Sequence, residues 1–209
     1  MQFSVEFAVQ FETLLRWRRD VRHFRRDPIP EDIFRHLLTL ACLAPSVGLS
    51  QPWRFVRVSD AGRRLAIREI FSRCNAAALA AQAQEKAQLY ARLKLAGLDD
   101  APVQLAVFAE RAPVRGGGLG RATMPETVPY SVVTAVHTLW LAARVHELGV
   151  GWVSIIDPEA VKSVLQVPES WQFIAYLCIG YPESESDEPL LQRVGWEERC
   201  DLGAVLYTR

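Results

Sequence analysis

The sequence predicts a single α+β domain, and three observations carry the prediction. The chain has 209 residues, half of them hydrophobic. That length suits one domain and allows roughly 70% of the unfolded surface to be buried without a disulfide or structural metal. Four short apolar runs with strand character recur, at 53–58, 103–109, 151–156 and 173–180. Between them lie segments whose apolar residues repeat at helical spacing, and no internal repeat or linker divides the chain. The expected domain therefore spans residues 1–209.

The first helix is expected over 8–19, where Phe11, Leu14, Leu15 and Arg18 follow helical spacing. Pro28 and Pro30 interrupt the chain, and Pro30-Glu31-Asp32 opens a second helix with proline and acids in its first turn. Ile33, Leu37, Leu40, Ala41 and Ala44 form its expected apolar face, and Pro45 stops it. After the strand at 53–58, helices are expected over 62–72 and 76–95. The run Val103-Gln-Leu-Ala-Val-Phe-Ala is apolar almost throughout, as a central strand buried on both faces requires. Residues 111–129 hold Gly116-Gly-Gly-Leu-Gly120 and prolines at 113, 125 and 129. A connection of that length is commonly a lid or binding loop. The helix over 130–148 is apolar nearly all round (Val132, Val133, Val136, Leu139, Trp140, Ala143), which places it in the core. Gly149-Val-Gly151 is expected to end it. A strand over 151–156, a short helix over 158–165 and a strand over 173–180 follow. The tail 183–209 is polar and then apolar again at 202–207, a pattern expected of a segment packing on a partner subunit.

Charge and cysteine usage narrow the function. Lys+Arg and Asp+Glu both total 24, so the chain lacks the positive excess on which general nucleic-acid and membrane-surface binding depends. Cys42, Cys74, Cys178 and Cys200 are isolated, and His23, His36, His137 and His146 stand in no ligand spacing. That speaks against a metal site and for a reducing, cytoplasmic setting. No basic stretch followed by an apolar run opens the chain, so no signal peptide is read. The longest uncharged run, 127–143, is short of the ~20 apolar residues of a spanning helix.

Three segments stand out chemically. Arg16, Arg18, Arg19, Arg22, Arg25 and Arg26 cluster around Asp20. Arginine presents a planar fork of donors that matches phosphate oxygens and stays charged. Taken alone, the cluster reads as a solvated basic face in a chain with only three lysines. The second segment, Ala44-Pro-Ser-Val-Gly-Leu-Ser-Gln-Pro-Trp53, is a tightly bent connection in which Gly48 permits close approach of backbone to a ligand. The third holds Ser154 in an otherwise apolar strand, where a hydroxyl must find a main-chain partner or a ligand. Neither a dinucleotide fingerprint, nor a P-loop, nor a Gly-x-Ser-x-Gly nucleophile elbow occurs.

In order along the chain, these segments resemble the nitroreductase-like FMN flavoprotein family, and within it the branch that fragments reduced flavin. The residues that carry the resemblance are Arg18-Arg-Asp-Val-Arg22, Ala44-Pro-Ser-Val-Gly48, Ser50-Gln-Pro-Trp53, Leu93-Lys-Leu95 with Gly97, Leu119-Gly-Arg121, Leu139-Trp-Leu-Ala-Ala-Arg144 and Gly151-Trp-Val-Ser-Ile155. The resemblance implies a nitroreductase-like fold: a central mixed β-sheet surrounded by helices, in a homodimer with FMN at the subunit interface. It assigns Arg18, Arg19 and Arg22, with Asp20 and Val21 between them, to the flavin phosphate and ribityl chain. Lys94 and Arg199 become further phosphate contacts, Pro45 and Ser46 the turn against the ring system, and Trp152, Val153 and Ser154 the strand near its pyrimidine side.

In that branch reduced FMN is the substrate and is consumed, dioxygen is the co-substrate, no metal takes part, and a separate flavin reductase supplies the reduced flavin. Asp20 would be the base for proton transfers along the ribityl chain, held ionised among arginines, and Ser154 a hydrogen-bond donor to the reacting flavin. Ala96 departs from the glutamate common at that position. The alternative within the family is an FMN-retaining, NAD(P)H-dependent nitroreductase or flavin reductase. The direction of Asp20 depends on local backbone: in a helix continuing through residue 22 it points away from Arg18 and Arg22, and in an extended segment it shares a side with Arg22.

Overall fold

The computed structural model describes residues 1–81 and 96–209. Helix α1 (Val5–Trp17) begins at Ser4, whose hydroxyl accepts the Phe7 N–H. Helix α2 (Glu31–Ala41) starts behind Pro30 with Glu31 and Asp32 in its first turn, where acids offset the positive end of the helix dipole. Strand β1 (Trp53–Arg57), helix α3 (Ala61–Ala80) and a single turn, α4 (Gly97–Asp100), lead to β2 (Val103–Glu110). Helix α5 (Thr127–Val145) precedes β3 (Gly149–Val153), and α6 (Pro158–Leu165) precedes β4 (Trp171–Gly180). A last turn, α7 (Leu190–Arg193), leads into an exposed tail.

The four strands form one sheet in the order β1-β2-β4-β3. Strand β2 is central, and seven of its eight residues are buried. Alternation along it feeds two cores. Leu105, Val107 and Ala109 pack with α2 and α5, through Phe34, Leu37, Val132, Val136 and Leu139. Ala106 and Phe108 pack with α3, α4 and α6, through Ile67, Ile70, Leu98, Val161 and Leu165. Each fully buried Leu or Val contributes about 1.5–3 kcal/mol relative to exposure.

Several expectations are corrected. Among the described residues the four strands pair antiparallel throughout, where a mixed sheet was expected; the parallel component is an isolated bridge between Asp20 and Val150. Helix α3 runs unbroken through 73–75, where two helices were expected, and the remainder of the second lies outside the described residues. On α2 it is Phe34 that is buried beside Leu37 and Ala41, with Ile33 and Leu40 only partly covered. Helix α5 ends four residues before Gly149, at Val145. Gly149 and Gly151 lie within β3, which closes at Val153 and leaves Ser154 outside the strand. Among the described residues no helix is long and apolar enough to cross a membrane.

Candidate functional site

The site is built where α1 stops. Arg18 caps the helix in an extended conformation (φ −69°, ψ 113°), and the chain then runs along the free edge of β3. The Val21 N–H donates to the Val150 carbonyl at 3.1 Å. This close approach needs glycine: a Cβ at Gly151 would overlap the Val21 carbonyl oxygen, and one at Gly149 would lie 2.5 Å from Val21 Cγ2. The two glycines therefore serve neither a helix end nor a phosphate loop. They admit residues 20–22 against the sheet.

The extended course settles the direction of Asp20. Its Oδ1 accepts the Trp152 main-chain N–H at 3.0 Å, and its Oδ2 lies 3.4 Å from Arg22 Nε. Asp20 and Arg22 thus share a side, as an extended backbone requires. The carboxylate keeps 39% of its side chain accessible. Burial raises its pKa above the ordinary value of 3.8; the Trp152 N–H and the Arg22 and Arg18 guanidiniums oppose the rise without cancelling it. The direction is opposite to the lowering that arginine neighbours alone would give, because loss of solvent outweighs the neighbouring charges.

Arg18, Arg19 and Arg22 line one cavity of ≈ 180 Å³ with Asp20 and Val21. The Arg18 guanidinium lies 4.9 Å above the Trp140 ring. Arg19 Nε donates to the Asp187 carbonyl at 2.9 Å and its Nη1 to the Arg18 carbonyl at 2.8 Å. Burial lowers the pKa of both arginines, and repulsion from Arg199 lowers each further. The tail therefore brings Arg199 within electrostatic reach of the pair at the end of α1. The rest of the cluster disperses: Arg25 lies over the Tyr181 ring, and Arg26 pairs with Asp100 at 2.7 Å.

Pro45, Ser46, Trp152, Val153 and Ser154 do not line this cavity. The Pro45 carbonyl accepts the Thr134 hydroxyl, and Ser46 Oγ accepts the Gln51 N–H. Thr134 and Trp140 are both on α5 but six residues apart, roughly 9 Å of helix rise. The turn is strained: Gly48, Leu49 and Gln51 all have positive φ, and such strain collects at ligand sites. Gly48 and Gly116 meet backbone to backbone, which seats the glycine-rich loop on this turn. Trp152 is half-buried, Val153 is buried, and Ser154 is exposed beyond the strand. Lys94 lies outside the described residues.

Sequence reasoning did not assign Trp140, Arg144, Glu185 or Arg193, all of which line the cavity. The i,i+4 pair Trp140 and Arg144 on one apolar helix was a usable signal, whereas Glu185 and Arg193 carried none. Arg144 pairs with Glu185 at 2.6 Å, which ties α5 to the segment carrying Asp187.

Comparison with known proteins agrees with this architecture. Residues 15–181 match the Nitroreductase family. The chain is 59% identical to a 5,6-dimethylbenzimidazole synthase of Rhodospirillum rubrum, over 94% of this chain and 93% of the relative. It is 53% identical to a 5,6-dimethylbenzimidazole synthase of Rhodobacter capsulatus, over 95% of this chain and 96% of the relative. The crystal structure of oxidized iodotyrosine deiodinase bound to FMN and 3-iodo-L-tyrosine superposes with a TM-score of 0.71 at 26% identity, covering 84% of this chain and 91% of that one. The expected nitroreductase-like fold is thereby borne out, and the chain belongs to the nitroreductase family.

Proposed function

We propose that this chain, like the relatives named for that activity, is a 5,6-dimethylbenzimidazole synthase, and that it works by oxygen-dependent fragmentation of reduced FMN to 5,6-dimethylbenzimidazole and erythrose 4-phosphate. The observation that carries the reading is the placement of Asp20: a carboxylate held by the Trp152 N–H and Arg22, on the wall of a cavity shared with Arg18, Arg19 and Arg22. The residues suit FMN. Arg18, Arg19 and Arg199 repel one another, and a phosphate dianion is the group that relieves such crowding. Bound there, reduced FMN supplies the electrons and the carbon skeleton, and dioxygen is the oxidant.

The chain's own residues then have separable tasks. The arginines hold the phosphate end. Asp20, anchored by the Trp152 N–H, accepts protons as bonds along the ribityl chain break, and a raised pKa makes it a stronger base than an ordinary carboxylate. Ser154, whose hydroxyl makes no hydrogen bond among the described residues, is free to donate to the flavin.

Two copies of the chain complete the site. A cavity of ≈ 180 Å³ is below the ~300–1,000 Å³ typical of ligand pockets. Helix α1 has no buried residue, yet Phe3, Phe7, Phe11, Leu15 and Trp17 are exposed on or beside it. A helix of 13 residues is marginal in water without a packed face. Leu202, Val205, Leu206 and Tyr207 of the tail are exposed as well. A homodimer covers these surfaces and brings the Pro45–Ser46 turn of one copy toward the arginines of the other. Four free thiols suit a cytoplasmic setting, where a separate reductase supplies reduced FMN.

The deciding experiment mixes the purified protein with photoreduced FMN in air and separates the products by chromatography. Dimethylbenzimidazole in amounts matching the flavin lost is the expected result. Intact FMN as the sole flavin product, or NAD(P)H-driven nitroarene reduction at an ordinary flavoenzyme rate, overturns the reading in favour of an FMN-retaining reductase.

A further inference from the structure

Trp140 touches both arginines at the head of the cavity in two different ways. Its ring face carries the Arg18 guanidinium at 4.9 Å. Its indole N–H donates to the Arg19 main-chain carbonyl at 3.1 Å. Its ring also lies 6.5 Å from that of Trp152, the residue whose N–H holds Asp20. One side chain on α5 thus fixes the start of the extended segment from three directions. The contacts are not those of a generic core residue. Trp140 is only partly buried and lines the cavity itself, whereas its neighbours Leu139 and Ala143 are fully buried in the core.

The geometry matters because the Trp140 ring is a close side-chain contact that orients Arg18. Its side chain has no carboxylate within ion-pair distance among the described residues; Asp20 attracts it from farther off while Arg199 repels it. The longer-range attraction to Asp20 fixes no geometry, and the aromatic face is the close contact that holds the guanidinium over the cavity. The indole N–H completes the arrangement by fixing the Arg19 peptide, whose orientation determines where the next side chain departs.

We infer that Trp140 is a positioning residue that sets the preference of this site for phosphorylated over unphosphorylated flavin, by presenting Arg18 and Arg19 as one anion-binding fork. The inference rests on the reading that these arginines receive the FMN phosphate. It does not assign Trp140 to the chemistry, because it acts through the two arginines.

The test measures binding of oxidised FMN and of riboflavin by flavin fluorescence, for the wild type and for Trp140→Leu, Trp140→Phe and Arg18→Ala. Wild type is expected to prefer FMN. Trp140→Leu should weaken FMN about tenfold while riboflavin changes less than about twofold, since a tenfold change corresponds to ~1.4 kcal/mol, within the cation–π range. Trp140→Phe keeps an aromatic face and should recover most of the preference, which also covers the case of a poorly folded leucine variant. Equal losses for both flavins in Trp140→Phe, or an unchanged FMN-to-riboflavin ratio in a folded Trp140→Leu, overturn the inference. If Arg18→Ala abolishes the preference and the Trp140 variants do not, Trp140 alone is misassigned. If wild type itself binds the two flavins equally, the phosphate reading fails first.

Discussion

Replacing Gly151 by alanine should damage both stability and chemistry. The added Cβ would fall more than an ångström inside the roughly 3.4 Å at which ordinary contact with the Val21 carbonyl begins. The obstacle is backbone, so no rotamer change relieves it. Moving residues 20–22 outward by that much breaks the 3.1 Å bond from the Val21 N–H to the Val150 carbonyl and the 3.0 Å bond from the Trp152 N–H to Asp20. Overpacking costs about 1–3 kcal/mol and each of the two hydrogen bonds about 1 kcal/mol, so a loss of about 3–5 kcal/mol is expected. Urea unfolding followed by circular dichroism reads it directly. Product formation should fall further, on the order of a hundredfold, because a catalytic group is displaced by about an ångström. Gly149→Ala gives an internal control. Its Cβ would meet the Val21 side chain at 2.5 Å, so Val21→Ala should largely rescue Gly149→Ala and leave Gly151→Ala unrescued. A Gly151→Ala protein within about 0.5 kcal/mol of wild type and fully active would refute the reasoning.

Three other perturbations separate the parts of the site. Asp20→Asn should retain FMN binding within a few-fold and lose fragmentation. In the wild type the rate should climb with pH as Asp20 deprotonates, with a midpoint above 3.8, and residual activity in the variant should lack that limb; near-normal product formation by the variant would remove Asp20 from the mechanism. The linkage sign follows from the same shift: a carboxyl with a raised folded-state pKa contributes stability below its unfolded pKa and loses it as pH rises through the folded value. Asp20→Asn should therefore compare more favourably with wild type in urea midpoint at pH 7 than at pH 3. Burial pushes the Cys178 thiol up to about 12, so at pH 8 it should escape thiol reagents until the protein is unfolded; rapid labelling of Cys178 in the native state would contradict its place between the sheet and Gly97. Phe11→Asp, on the uncovered α1, should shift the mass seen in light scattering from dimer to monomer and weaken FMN binding with it, and a dimer that persists with normal affinity would place the interface elsewhere.

What could be read from the sequence follows the range of the causes. Strand β2 was legible because both of its faces are buried, so its apolar run is continuous. Helix α6 was legible because Asp157 and Pro158 mark its start locally, with Asp157 accepting the Glu159 and Ala160 N–H groups. The arginine stretch and the 45–51 turn were found as segments for the same reason. Gly149 and Gly151 were misread because a glycine ending a helix and a glycine yielding to a crossing chain look alike in one sequence; the difference lies in Val21, some 130 positions away. Ser154 fell outside its expected strand because β3 begins at Gly149 to pair with Gly180, a register that local pattern does not contain. The sheet was expected to be mixed on resemblance, while the antiparallel pairing of all four strands is a property of connections that periodicity does not report.

The sharpest dependence of function on fold lies in where α1 ends. Neither glycine nor proline stops it: residues 15–22 read Leu-Arg-Trp-Arg-Arg-Asp-Val-Arg, without a breaker. What competes with another helical turn is tertiary. The Val21 N–H is taken by Val150 and the Asp20 carboxylate by the Trp152 N–H, while Trp140 holds the Arg19 carbonyl, a group a longer helix would use internally. An extended segment alternates its side chains, so Asp20 and Arg22 face one way while Arg19 reaches across to the Asp187 carbonyl. One more turn of helix would rotate Asp20 roughly 100° per residue away from Trp152 and separate it from Arg22. The same few hydrogen bonds that terminate the helix therefore also join the anion-binding arginines to the candidate base, which is why substitutions on β3, like Asp20→Asn within the stretch itself, are expected to uncouple flavin binding from flavin cleavage.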